Sequence, residues 1–283
     1  MPCKREFVHS LKLSKEAQDI MLASWSDSTL KQYGSAALRW LQYCSDKLVN
    51  PYKANINQII EFMTNTFNTT TMQYSSMNTI RSMLSSIVEP CEGITVGSHP
   101  LVKRFMKGIF KLRPSLPKYT VTYDAEKVLR YLASLPPSAE LSFMDITKRM
   151  VTLMAFLSGQ RAQTLNALDI TCMDVKNESY TFFIPSLLKT SRPSFHQEPL
   201  TFIEYPQNQK ICVVRNIDEY ILRTKELRGD EVRLLISTTA PHHAVTTSTV
   251  ARWIKDMLHK AGIDVNTFWC TFYKICFNIT GKM

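Results

Sequence analysis

No segment approaches the ~18 uninterrupted apolar residues that a membrane-crossing helix needs. The opening residues, Met1-Pro2-Cys3-Lys4-Arg5-Glu6-Phe7, lack the apolar core of a secretory signal. The seven cysteines are scattered and never fall into Cys-x-x-Cys spacing, which argues against a disulfide scaffold and against a zinc module. No internal repeat and no low-complexity tract is present. The expectation is a globular protein of a reducing compartment, the nucleus or cytosol, with no membrane partner.

What is present fits that expectation. An apolar fraction of 45% and a charged fraction of 20% are those of a globular chain, and 283 residues suffice for two domains with their own cores. The net charge is +10 and the pI about 9.2, which calls for an anionic partner. That excess is uneven. Residues 1–119 hold 15 Lys and Arg against 8 Asp and Glu, a balance of +7, whereas the remainder holds 19 against 16. Lys103, Arg104, Lys107, Lys111, Arg113 and Lys118 form a run without an acidic residue. Such a run can neutralise several DNA phosphates and give salt-dependent binding; taken alone it equally suits a solvated helix face and a linker.

Residues 1–112 read as a helical domain. Ser26-Asp27-Ser28 supplies a cap, and Leu30, Tyr33, Ala37, Trp40, Leu41, Cys44 and Leu48 recur at helical spacing until Asn50-Pro51. Ile56 to Phe67 and Met77 to Val88 mark two further helices, and Pro100 to Phe110 a fourth. Residues 113–120, containing Arg113-Pro114-Ser115-Leu116-Pro117-Lys118, read as a basic linker that two prolines keep from being helical. From 121 to 283 the pattern is mixed. Helices are expected over Asp124–Ala133, Asp145–Ser158, Lys210–Thr224 and Thr246–Ala261, and strands over Tyr180–Ile184, Leu200–Ile203 and Arg233–Ile236. The expected class is α+β, mainly helical.

Two basic boxes carry the chemistry. In Leu157-Ser158-Gly159-Gln160-Arg161 an apolar helix stops at Gly159 and an arginine follows at once, which presents a guanidinium fork on a rigid corner suited to phosphate. The other reading of Arg161 is a helix-end cap or a partner of Asp169. In Leu188-Lys189-Thr190-Ser191-Arg192-Pro193 an ammonium follows a strand and precedes a turn, unless Lys189 is an ordinary strand-end lysine.

These boxes, the helical first part and the basic linker resemble the tyrosine recombinase (phage integrase) superfamily, most closely its eukaryotic mobile-element, DIRS-like type. The resemblance runs from about Ser26 to Phe268. It implies a helical core-binding domain, a mixed α/β catalytic domain and a C-shaped clamp on double-stranded DNA, with no metal or cofactor. By resemblance Arg161 is the first catalytic arginine and Lys189 the hairpin general acid. A lysine suits that role because its proton is tunable, whereas an arginine holds its own. Lys103, Arg104, Lys107, Lys111, Arg113 and Arg192 are candidate DNA contacts. Arg252 and Lys255 are either backbone contacts or solvated charges, and His242 and His243 read as loop residues.

The chain departs from the family after Phe268. Where the family has His-x-x-Arg, Thr271-Phe272-Tyr273-Lys274 stands, so that Lys274 keeps the charge and loses the planar fork. Thr271 cannot replace an imidazole as proton carrier near pH 7. No tyrosine follows in Ile275–Met283. The expectation is a catalytic domain without its last helices, and a chain that binds DNA in integration or recombination without completing the reaction. A fragment of an active recombinase forming a phosphotyrosyl intermediate, and a basic helical interaction protein indifferent to DNA, are the alternatives. A monomer or loose homodimer is expected, because the family's subunits exchange a C-terminal segment.

Overall fold

The computed structural model describes Val8 and residues 13–114, 123–189 and 191–265. The chain divides into two compact units, Met1–Pro117 and Lys118–Met283.

The described part of the first unit is helical. Helix α1 spans Lys15–Ala23, α2 Asp27–Lys47, α3 Ile56–Thr69, α4 Tyr74–Ile87 and α5 Pro100–Leu112. Caps set their starts. Ser26 Oγ accepts the Thr29 N–H at the head of α2, and Asn55 and Gln58 form a reciprocal capping box at the head of α3. Pro100 opens α5, where its missing N–H leaves nothing unpaired. The apolar positions of these helices meet around Trp40, which is fully buried, donates its indole N–H to Pro51 O at 3.0 Å and meets Phe62 edge-on at 4.9 Å. Ile59, Met63, Met77, Ile80, Met83 and Leu84 complete this core. At Gly97 a Cβ would lie 2.7 Å from Ser85 Oγ, so a larger residue there would turn that hydroxyl aside.

The second unit is built round α7, Phe143–Ser158, whose residues Met150 to Phe156 are all buried. The run from Met150 to Phe156 is apolar except for Thr152 because other elements surround it. Helices α9, Val213–Thr224, and α10, Thr247–Lys260, pack on it, with α6, Ala125–Ser134, against α10. The short α8, Ala162–Asn166, also packs on α7 and α10. A three-stranded antiparallel sheet has the order β1 (Met173–Lys176), β2 (Ser179–Phe182), β3 (Leu200–Ile203). Tyr180 lies opposite Phe202 and Phe182 opposite Leu200, so the inward positions of both strands alternate as period two demands. The buried Tyr180 hydroxyl donates to Asp218 and ties the sheet to α9.

The structure differs from the sequence reading in several places, beginning with helix α1, Lys15–Ala23, which was not expected. Arg233–Ile236 makes only isolated bridges, Asp169 to Arg233 and Ile236 to Ala244; Leu234, Leu235 and Ile236 are all buried, without strand alternation. Helix α9 starts at Val213 and not at Lys210, since Gln209–Ile211 forms a separate 3₁₀ turn. Strand β1 and helix α8 were not expected. β1 exposes three of its four residues and α8 is only five residues long, so neither carries a periodic apolar signal.

Glu231 organises the irregular stretch after α9. Its carboxylate accepts the Arg233 N–H at 3.0 Å and the Ala244 N–H at 2.9 Å, and these bonds hold its pKa below the ordinary glutamate value. A depressed carboxylate contributes stability that is present above the ordinary value and is lost as pH falls through the lowered one. Glu231→Gln is therefore expected to lower the thermal midpoint near neutrality and to converge with the parent chain in acid. A gap that persists unchanged in acid would show that the carboxylate's charge is not the stabilising feature.

Candidate nucleic-acid interface

Helix α5 has two chemically opposite sides. Val102, Met106 and Ile109 are buried in the first-unit core, while Lys103, Arg104, Lys107 and Lys111 are exposed. Lys103, Lys107 and Lys111 follow one another at four-residue spacing, which stacks three like charges on one face. Each such pair disfavours the isolated helix by roughly 0.2–0.5 kcal/mol, so the arrangement is not one that folding alone would select.

These three lysines, together with Tyr74 and Arg81 of α4 and Met106 and Phe110 of α5, line a groove of about 460 Å³. No acidic residue among the described residues lines it. Tyr74 meets Phe110 edge-to-face at 5.5 Å, which gives an apolar floor between the cations. Arg81 joins this set through the fold. It lies seven residues after Tyr74, two turns along one helix face, but nothing in the sequence tells that this face meets α5.

The remaining basic residues of the run separate. Arg104 is exposed but does not line the groove. Arg113 is half-buried and its guanidinium stacks over Phe67 at 3.8 Å while donating to Thr70 O and Met72 O at 2.8 and 3.2 Å. Those contacts bind the end of α5 to the end of α3. Lys118 lies outside the described residues.

In the second unit, α7 ends at Gly159 with φ 62°, a left-handed cap that glycine adopts without steric penalty. Arg161 follows in extended backbone and is exposed. Its carbonyl accepts the N–H groups of Thr164 and Leu165 at 2.9 and 3.2 Å, and the side chain of Leu165 is fully buried. The arginine therefore stands on a corner fixed from both sides. Lys189 is exposed in the connection between β2 and β3. The flanking Leu188 N–H donates to Ser191 Oγ and the Ser191 N–H returns to Leu188 O, each at 2.9 Å, so the lysine sits on a closed turn. Thr190 lies outside the described residues. Arg192 pairs with Phe195 in a narrow bridge and its guanidinium lies 5.1 Å over that ring. Arg252 is exposed on α10, opposite the buried Trp253 and Ile254. His242 and His243 occupy a loop, where each Nδ1 lies 2.8 Å from a backbone carbonyl, that of Ser237 and of Pro241. Thr271 and Lys274 lie outside the described residues.

No protein-family model matches the chain, and no curated protein does. Solved structures do. The chain is similar to the XerH site-specific recombinase bound to palindromic difH substrate in a post-cleavage complex, with 13% identity and a TM-score of 0.58. The match covers 89% of this chain and 69% of that one. The fold is that of the tyrosine recombinases. At this identity the likeness is one of fold and carries over no residue. A lambda integrase dimer bound to a core site matches at 12% identity and a TM-score of 0.49, covering 94% of this chain and 88% of that one. The fold shared with XerH accommodates the mainly helical α+β order read from the sequence. No described helix is long and apolar enough to cross a membrane.

Proposed function

We propose that this chain is a DNA-binding protein of the mobile-element tyrosine recombinase type. The observation that carries the reading is the groove between α4 and α5, where four cations converge and no acid among the described residues lines the walls. The first unit then acts as the core-binding domain and grips duplex phosphates through Lys103, Lys107, Lys111 and Arg81, with Arg104 beside them. The second unit is the catalytic-type domain. Arg161 holds a phosphate bidentately from its fixed corner, and Lys189 approaches the same backbone from its turn. Arg192 and Arg252 are further backbone contacts. XerH, whose fold this chain shares, was captured on its DNA substrate, which supports a nucleic-acid partner.

Binding, rather than strand exchange, is the activity proposed. Strand cleavage needs cationic donors that hold the non-bridging oxygens as charge builds, and each such donor is worth about 3–4 kcal/mol. Lys274 stands where the second arginine belongs and Thr271 where the histidine belongs. The plane of the guanidinium and the titratable ring are both lost there.

Arg161→Ala tests the second unit's part. One phosphate contact is worth about eightfold at 0.1 M salt, so the variant should bind duplex DNA roughly tenfold more weakly in a fluorescence-anisotropy titration. It should melt like the parent. An unchanged affinity would remove Arg161 from the interface, and a large drop in melting temperature would mark it as a residue of the fold.

A further inference from the structure

We infer that the α4–α5 groove reads thymine, with Phe110 as the contact to the base's C5-methyl group. The inference rests on the DNA-binding reading above and adds to it a base preference that charge alone cannot give. Phe110 is 47% exposed, although it sits on the same wall as Lys107 and Lys111 and is braced edge-on by Tyr74. Met106 completes the apolar floor beside it. An exposed aromatic ring among lysines is poorly served by water, and a partner that covers it must satisfy two demands in one footprint. It must offer anionic groups to the cations on both walls and an apolar group to the ring between them.

Duplex DNA meets both demands in the major groove. The groove is about 12 Å wide, admits a helix, and is bordered by phosphates on each side. Among the groups its base edges present there, the thymine methyl is the apolar one, and phenylalanine is a suitable contact for it. Helix α5 has 13 residues, a length of about 20 Å, enough to lie along that groove with its lysines directed to one backbone and Arg81 of α4 to the other. The side chains at the floor are Phe110, Met106 and Tyr74; Phe110 and Met106 cannot donate to a base edge, and Phe110 is the more exposed of those two. The methyl contact is assigned to Phe110 alone.

The test compares two duplexes of one sequence, one containing thymine and the other deoxyuridine at every thymine position. Phosphate number and base pairing are identical, and only the methyl groups differ. The parent chain should bind the thymine duplex about fourfold more tightly, the factor that corresponds to burying one methyl-sized group. Phe110→Ala should bring the ratio to one and leave the salt dependence unchanged. Phe110→Gln, which removes the ring and is the better helix former, should do the same and guards against a folding defect in the first variant. Changing Lys103, Lys107 and Lys111 to alanine should flatten the salt dependence and keep the ratio. Equal affinity of the parent for the two duplexes, or a preference that survives both Phe110 variants, would overturn the inference while leaving duplex binding intact. A salt dependence unaffected by the lysine changes would instead overturn the binding reading on which it rests.

Discussion

Replacing Lys103, Lys107 and Lys111 together by alanine should weaken duplex binding about 10²–10³-fold at 0.1 M salt. The same change should make the log–log salt dependence shallower by about 2.7, the release of roughly three counterions. The three ammonium groups lie on one wall of an acid-free groove, so no carboxylate of that groove competes with phosphate for them. Alanine is the best helix former, and its introduction removes three stacked like charges from α5. The variant should therefore melt at the parent's temperature or slightly above it. That separation matters, because weakened binding with intact melting assigns the loss to the interface. A triple variant that binds with the parent's salt dependence would place the DNA elsewhere.

Arg149→Ala should destabilise the second unit by about 3–5 kcal/mol. The Arg149 side chain is fully buried in the middle of α7. Its Nε donates to Asn216 Oδ1 at 2.8 Å, Nη1 to Pro136 O at 2.7 Å and Nη2 to Ser138 Oγ at 2.6 Å. Asn216 in turn donates to Cys212 O at 2.7 Å and Lys210 O at 3.1 Å. One guanidinium thus joins α7, the head of α9 and the turn at Ser138–Glu140. Burial lowers its pKa to about 10, which still leaves it charged at neutral pH. Alanine would leave buried acceptors unpaired and a cavity besides, and each adds to the loss. Lysine cannot reproduce the three-way fork and should recover only part of it. Denaturant unfolding of the full chain checks this, because only the second-unit transition should move. A change under about 1 kcal/mol would mean that water replaces the network once the arginine is gone.

The sequence made helices legible wherever they carry an amphipathic stripe and a chemical boundary. Helix α2 was readable from Ser26 and the spacing through Trp40 and Cys44, and α7 from its apolar run and Gly159. The hairpin strands were readable because Tyr180, Phe182, Leu200 and Phe202 obey period two. β1 was silent because only Met173 among its residues is even half-buried. The buried triplet Leu234-Leu235-Ile236 misled because an apolar run reads as a strand whether or not a neighbour pairs with it.

The candidate site was half legible. The lysines of α5 announce themselves by the lack of any acid between residues 103 and 118. Arg81 and Tyr74 could not be assigned to them, because only tertiary packing brings α4 beside α5. Phe110 was readable as the end of a helix, but its exposure among cations follows from the orientation of α5. Conversely, Arg113 looks in sequence like one more member of the run. Phe67 and two backbone carbonyls of the α3–α4 connection hold it in the fold.

The affinity of the 283-residue chain for duplex DNA across a salt series decides whether its cations engage phosphate. Lys103, Arg104, Lys107, Lys111 and Arg81 present five cations in the first unit and Arg161, Lys189, Arg192 and Arg252 four in the second, and contacts from all of them give a log–log slope of about −8. A slope that steep, with binding lost at high salt, is the predicted result. Affinity that is absent, or that does not change with salt, would contradict the account and leave a recombinase fold whose basic groove serves some other partner.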